Sequence, residues 1–383
     1  MLFSLFCLRI AMWLLRRDAV TVWDNREVNR RLSWYRAVMT NLKPAKFLIV
    51  RSIPANTSSS DLEEMREEEL WRLHDNLILE FNEVYESIKG GKSVKLTDAE
   101  PSFLDVKIAL SERIIEHCEF CERRCRANRK KGGLGFCRIG YKSRVSSWFH
   151  HFGEEAPLIG EGGSGTIFFA GCNFGPCVFC QNWDISSDPE NGTEVDPRTL
   201  ALISKRLRTE GAANINYVGG DPTPNLHTIL ASLKHLNVNV PQLWNSNMYC
   251  SVETMKLLAE VIDIWLPDFK YGNNECAKRL SKVDDYFEVV SRNHKIAYEN
   301  GDMIIRHLVL PNHIECCTKP VLKWISENTP KVLVNIMEQY HPDYLVARNP
   351  EKYPDIARRP ASKEMREAYD YARGLGIVFE PVS

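Results

Sequence analysis

An apolar stretch, Thr166–Ala170, passes through Gly171 straight into Cys172-Asn-Phe-Gly-Pro-Cys177-Val-Phe-Cys180. Thiols this close in sequence suit one ion or cluster, whereas disulfide partners usually lie far apart. Three thiolates on one loop can hold three irons of a cubane and leave the fourth iron without a protein ligand, where a substrate can chelate. A zinc knuckle would want a fourth protein ligand nearby, and none follows at regular spacing. A buried trio of free thiols is the remaining alternative.

A second group precedes it: Cys118-Glu-Phe-Cys121-Glu-Arg-Arg-Cys125, then Cys137, spaced C-x2-C-x3-C-x11-C. Four thiolates can close a tetrahedral zinc site or ligate a second [4Fe–4S] cluster. Gly132, Gly133 and Gly135 permit the sharp turns of such a knuckle, and the basic residues among the thiols partly offset their charge. Adjacent Cys316 and Cys317 read as too crowded to share one small ion, one being a buried thiol. Cys7, Cys250 and Cys276 read as packing residues. No secretory signal is visible, so the chain is expected in the reducing cytoplasm with metal-bound thiolates.

With 383 residues there is length for one large domain and an accessory region. A formal net charge of -1 gives no reason to expect nucleic acid or an anionic membrane as partner. The apolar run at residues 2–15 is interrupted by Arg9, too short to span a membrane and lacking a basic flank in front. It reads as an amphipathic helix packed on the protein, with Met12 a later candidate start. Residues 1–110 read as a mainly helical accessory region, including a helix from Leu62 to Ile88 stopped by Gly90-Gly91, and 111–160 as the Cys-rich segment.

Residues 161–383 alternate short apolar strands with amphipathic helices. Strands are expected at 166–170, 215–218, 242–245, 262–266, 303–309 and 332–337. Helices are expected at 197–209, 224–235, 252–261, 317–327 and 362–374. That alternation implies an α/β fold with a parallel sheet, a partial (β/α)6 barrel with a C-terminal extension. Barrels of this kind carry chemistry in the loops after strand C-termini. Five further motifs fall there: Gly219-Gly220-Asp221, Asn245-Ser-Asn247, Asp268-Phe-Lys270, Arg306-His307 and Gln339-Tyr-His341.

Gly-Thr-Ile-Phe-Phe-Ala-Gly-Cys-Asn-Phe followed by Cys-Val-Phe-Cys-Gln-Asn resembles the radical S-adenosylmethionine (SAM) superfamily, in particular relatives of pyruvate formate-lyase activating enzymes. The resemblance covers roughly residues 115–345. One departure is plain: the family's C-x3-C-x2-C is C-x4-C-x2-C here, with Gly175-Pro176 an insertion at the loop's tip. The resemblance implies a radical SAM barrel in which Cys172, Cys177 and Cys180 hold the [4Fe–4S] cluster. It places Phe179 against adenine and Gly219-Gly220 at the methionyl amino group, with Asp221 where the family usually has glutamate. Asn245 and Asn247 would serve ribose or a cation. Asp268 is read likewise, Lys270 and Arg306 as partners of carboxylates, and His341 near the ribose. No catalytic residue is implied beyond the cluster and SAM site.

The implied activity is reductive cleavage of SAM and hydrogen abstraction from a protein or small molecule, with a reductant such as ferredoxin or flavodoxin. The alternative is an iron–sulfur or zinc electron-transfer protein on a barrel that no longer cleaves SAM. Against it, Gly219-Gly220, Asp268-x-Lys270 and Arg306 would have no reason to coexist in an electron carrier.

Overall fold

The computed structural model describes residues 16–383. The helix expected at residues 2–15, with Cys7 and Met12, lies outside them. Eight strands form one open sheet: β1 (Ser143–His151), β2 (Ser164–Phe169), β3 (Thr193–Val195), β4 (Ile215–Gly219), β5 (Gln242–Ser246), β6 (Ile264–Pro267), β7 (Asp302–Leu308) and β8 (Leu333–Met337), in the order β3-β1-β2-β4-β5-β6-β7-β8. The run from β2 to β8 is parallel, and each of these strands lies beside the next in the chain apart from the short β3. Strands β5 and β6 are buried along their whole length, as parallel strands covered on both faces must be.

The outer helices are α1 (Glu67–Lys89), α2 (Phe103–Ile114), α3 (Pro197–Thr209), α4 (Leu226–Leu233), α5 (Val252–Ala259), α6 (Asn274–Ser281), α7 (Tyr286–Glu299), α8 (Lys319–Asn328) and α9 (Ser362–Gly374). Their starts follow local rules. Asp196 accepts the Thr199 N–H at 2.7 Å ahead of Pro197, and Ser251 accepts that of Thr254 at 3.2 Å. The single helix expected from Leu62 to Ile88 is two, Ser59–Glu64 and α1. Each has its own cap: Ser58 pairs reciprocally with Asp61, and the Glu69 carboxylate takes the Arg66 N–H at 2.9 Å. All six expected parallel strands and five expected helices are present. The antiparallel β1 and β3, and helices α6 and α7, complete the fold.

The sheet is curled. A flat sheet would hold β4 and β7 roughly 14 Å apart, three strand spacings. Yet Glu154, in the β1–β2 connection, lies 2.9 Å from Asn216 on β4 and 3.9 Å from Arg306 on β7, and Glu155 lies 2.9 Å from Asn335 on β8. These two carboxylates plug the interior.

The N-terminal segment closes the lower end of the sheet. Asp263, just before β6, accepts from Trp34 Nε1 at 2.9 Å and from the backbone N–H groups of Lys46 at 3.0 Å and Gln242 at 2.9 Å. Asp302, which starts β7, accepts the Tyr35 N–H at 2.8 Å, and Arg31 reaches the Val332 carbonyl at 2.9 Å. Only the upper end, at the strand C-termini, is left for chemistry.

The tail runs beside β8: Val334 N–H donates to the Val378 carbonyl at 3.1 Å and Ile336 N–H to Ser383 Oγ at 2.8 Å. At the other edge Glu194 of β3 pairs with Lys142 and Arg144 at 2.8 and 3.1 Å. Among the described residues no helix is long and apolar enough to cross a membrane.

Candidate active site

The loop after β4 is pressed onto the loop after β2. Gly220 N–H donates to the Phe169 carbonyl at 2.9 Å and Asp221 N–H to the Gly171 carbonyl at 3.0 Å. A Cβ on Gly219 would stand 2.1 Å from the Phe169 oxygen and one on Gly220 1.9 Å from the Gly171 oxygen, and Gly219 has φ +125°. Only glycine permits that approach. Asp221 ties in the next loop, accepting from Ser246 Oγ and Asn247 N–H, each at 2.9 Å, and from Thr223 N–H at 2.9 Å. Its carboxyl is raised by burial.

These loops surround a cavity of about 630 Å³ at the upper end of the sheet. Cys172, Cys177, Cys180, Phe179, Gly219, Gly220, Asp221, Asn245, Asn247, Asp268, Lys270 and Arg306 all line it. His341 does not. It stands at the rim, its Nδ1 3.1 Å from Gln181 Nε2, and Gln181 lines the cavity in its place. Phe179 is also a core residue, packing edge-on against Tyr340 with centroids 5.6 Å apart.

Each of the three cysteine sulfurs has a polar neighbour able to donate: Asn247 Nδ2 at 3.7 Å from Cys172, Ser281 Oγ at 3.0 Å from Cys177 and Ser186 Oγ at 3.3 Å from Cys180. Ser281 ends α6, more than a hundred residues from Cys177, and no local signal announces it. Burial raises all three thiols, Cys177 to about 12, and the neighbouring cysteines add to the rise at Cys172 and Cys177. Left alone, such thiols stay protonated. A cationic iron centre is what would let them ionise, and hydrogen bonds to the sulfurs are how proteins tune such centres. The residues therefore fit a [4Fe–4S] cluster with one open iron.

Lys270 and Asp268 pair directly, and Arg306 Nε donates to the other Asp268 oxygen at 2.9 Å while its Nη2 donates to Asn245. Burial pushes the Asp268 carboxyl up, but Arg306 and Lys270 outweigh it and hold it below the usual carboxylate range. Arg306 was expected to be available to an outside carboxylate. Its fork reaches Asp268 and Asn245, with Glu154 below, and the Lys270 ammonium, itself paired with Asp268, and the Arg138 side chain line the same cavity.

Beneath Arg306, burial raises Glu155 to about 7, Arg306 opposing and Glu154 adding. An acid whose folded value lies above its unfolded one costs stability as pH rises from the unfolded value to the folded one. Glu155→Gln removes that term, so its stability relative to wild type should grow from about pH 4.5 to about pH 7 and then level off. Urea midpoints across that range measure it; a pH-independent difference would refute it.

The four-cysteine segment forms another wall of this cavity through Phe136, Cys137 and Arg138. Cys118 and its neighbours are laddered, Cys118 N–H to the Ala127 carbonyl at 3.0 Å and Arg126 N–H to the Cys118 carbonyl at 3.1 Å. Gly135 passes so close to Cys125 that a Cβ there would lie 3.1 Å from its sulfur. Burial raises Cys121, and the nearby Cys137, Cys118 and Cys125 each add to the rise. Cys250, read as packing, is buried and pairs its backbone with Cys121.

Residues 166–325 match the Radical SAM superfamily. The chain is 42% identical over 365 residues to the uncharacterized protein MJ0674 of Methanocaldococcus jannaschii, covering 91% of this chain and all of that one. Among solved structures, Streptococcus suis SuiB bound to S-adenosylmethionine aligns over 55% of this chain and 47% of its own, at 13% identity and TM-score 0.39. TYW1 with a lysine-pyruvate adduct aligns over 55% and 72%, at 12% identity and TM-score 0.35. The alignment thus spans less than half of the SuiB chain. The superfamily match runs from the strand before the three cysteines into α8, so residues 166–325 are a radical SAM domain, and the whole chain belongs to one family with the M. jannaschii protein.

Proposed function

We propose that the protein cleaves SAM reductively and starts hydrogen abstraction on a protein or small-molecule substrate, in the manner of an activating enzyme. The observation that carries this reading is the convergence of Cys172, Cys177 and Cys180 with Asp268, Lys270 and Arg306 on one cavity. The bound cluster and SAM supply one-electron reduction and radical chemistry, which belong to the cofactor and not the chain. The chain's own part is positioning. Asn247, Ser281 and Ser186 stand by the three sulfurs, Asp268 fixes Lys270, and Lys270 offers an ammonium to the SAM carboxylate. Phe179 gives the adenine an apolar wall. Cys118, Cys121, Cys125 and Cys137 hold a second metal centre, [4Fe–4S] or zinc, beside the same cavity. A reductant of ferredoxin or flavodoxin type delivers the electron.

Anaerobically reconstituted protein incubated with SAM and dithionite should form 5′-deoxyadenosine and methionine, read by chromatography. Lys270→Ala should weaken SAM binding about tenfold, the worth of one charge-assisted contact. No 5′-deoxyadenosine from protein with a full cluster complement would overturn the reading, and unchanged SAM affinity would remove Lys270 from the site. Deuterium transfer from labelled substrates into 5′-deoxyadenosine separates protein from small-molecule donors.

A further inference from the structure

Away from the cavity, Cys276, His313, Cys316 and Cys317 bring three sulfurs and one ring nitrogen within 4.8 Å of one another. We infer that these four residues form a closed Cys3His site for a zinc-class ion, distinct from both cysteine groups described above.

Five of the six ligand-to-ligand distances are those of a tetrahedron, and the sixth, Cys276 Sγ to Cys317 Sγ, is within 4.8 Å. Zinc–sulfur bonds of about 2.3 Å and zinc–nitrogen bonds of about 2.0 Å place sulfurs roughly 3.8 Å apart and sulfur and nitrogen roughly 3.5 Å apart. Cys276 Sγ and Cys317 Sγ each lie 3.9 Å from Cys316 Sγ. His313 Nδ1 lies 3.3 Å from Cys316 Sγ and 3.6 Å from those of Cys276 and Cys317. Thiolates and imidazole select zinc and its neighbours over magnesium or calcium.

Adjacency of Cys316 and Cys317, read from sequence as an obstacle, is the means of convergence. His313, Cys316 and Cys317 stand at i, i+3 and i+4, the positions that share one face of a helical turn. The turn is π-helical, Ile314–Thr318, with Cys317 N–H donating to the His313 carbonyl at 2.9 Å and Thr318 N–H at 3.1 Å. Such turns cluster at functional sites. Cys276, read as packing, supplies the fourth ligand from the first turn of α6, where Asn273 accepts its N–H at 2.8 Å. Asn273 Nδ2 also donates to the Cys316 carbonyl at 2.7 Å, and Gly272 packs so closely that a Cβ there would lie 2.7 Å from the same oxygen.

The outer partners suit a metal as well. His313 Nε2 lies 2.9 Å from Asp355 Oδ2, so the nitrogen away from the sulfurs donates to a carboxylate, the usual orientation of a metal-bound histidine. Arg279 pairs with Asp355 and fixes it in turn. With four protein ligands the site has no open position, so the ion serves structure. It clamps α6 to the turn after β7, and α6 ends in Ser281, which touches Cys177.

The test uses the full-length protein purified anaerobically, with zinc and iron measured together. Cys276→Ser, His313→Gln and Cys316→Ser should each lose one equivalent of zinc while iron is unchanged. Zinc unchanged in all three variants overturns the site. Should the variants fail to fold, wild-type protein decides by alkylation and peptide mass spectrometry. Cys276 and Cys316 should resist labelling until a chelator strips zinc, then label fully. Labelling at the same rate before and after chelation, or a disulfide among these three cysteines, overturns the site. Cobalt(II) in place of zinc should give a thiolate charge-transfer band that His313→Gln shifts; an identical band in wild type and variant counts against it. None of these readouts depends on SAM cleavage.

Discussion

Replacing Cys172, Cys177 and Cys180 together by alanine should bring 5′-deoxyadenosine formation down to the uncatalysed rate. That is a fall of at least about 10⁶-fold if the native chain reaches the lower end of ordinary enzymatic acceleration. No other sulfur replaces them: of the remaining described cysteines only Cys137 lines the cavity, and it belongs to the four-cysteine segment. Each lost sulfur also leaves Asn247, Ser281 or Ser186 without that neighbour, so repair by a shifted side chain is not expected. The three positions are half-buried on a loop, and alanine removes little packing there, so the chain should still fold. Iron content, the reduced-state EPR signal and product formation measure the outcome. Retention of the full iron content and the wild-type signal would remove these residues from the cluster.

Lys107→Met should cost about 3–5 kcal/mol of stability, the usual result of removing one partner of a buried ion pair. Lys107, on α2, is fully buried and 2.6 Å from Glu260, which itself is 7% exposed at the end of α5. Its ammonium also meets His74 Nε2 at 2.9 Å and the Lys256 carbonyl at 3.1 Å, using all three donors. Burial lowers the lysine, Glu260 opposes that, and the pair survives only because every proton is placed. Methionine has similar length and would leave Glu260 charged, buried and unpaired. Chemical denaturation measures the loss, and Lys107→Met with Glu260→Leu should recover most of it. A single-variant loss under about 1 kcal/mol would show that water reaches Glu260.

The parallel strands and the cysteine loop were legible because both signals are local: short apolar runs bounded by turns, and thiols a few residues apart. Asp268 and Lys270 were legible for the same reason. What escaped depends on residues distant in sequence. Strand β1 carries exposed aromatic residues such as Phe149 beside polar ones, because one face of an edge ribbon meets solvent, and it lacks the apolar run of β5. Glu154 and Glu155 look like surface acids until Asn216, Asn335 and Arg306 are found around them. The Asp268–Arg306 pair has no local signal, because the two residues stand 38 apart in the chain. Cys276 is 37 residues from His313, so only the fold joins them. The spacing His-x-x-Cys-Cys does hold a local signal, since i, i+3 and i+4 share one helical face.

The open sheet has a further consequence for how the molecule behaves among its own copies. A barrel that stops short of closure offers two rows of unused backbone donors and acceptors, each a template on which another chain could polymerise. Here one row ends in a strand only three residues long, its Glu194 held between Lys142 and Arg144, so an approaching strand meets fixed charge. The other row is already spent on Val378 and Ser383. On the β8 side the gap in the barrel wall is therefore closed to an approaching strand, and deleting the last few residues would reopen it, whereas β3 covers β1 only over Ser143–Val145.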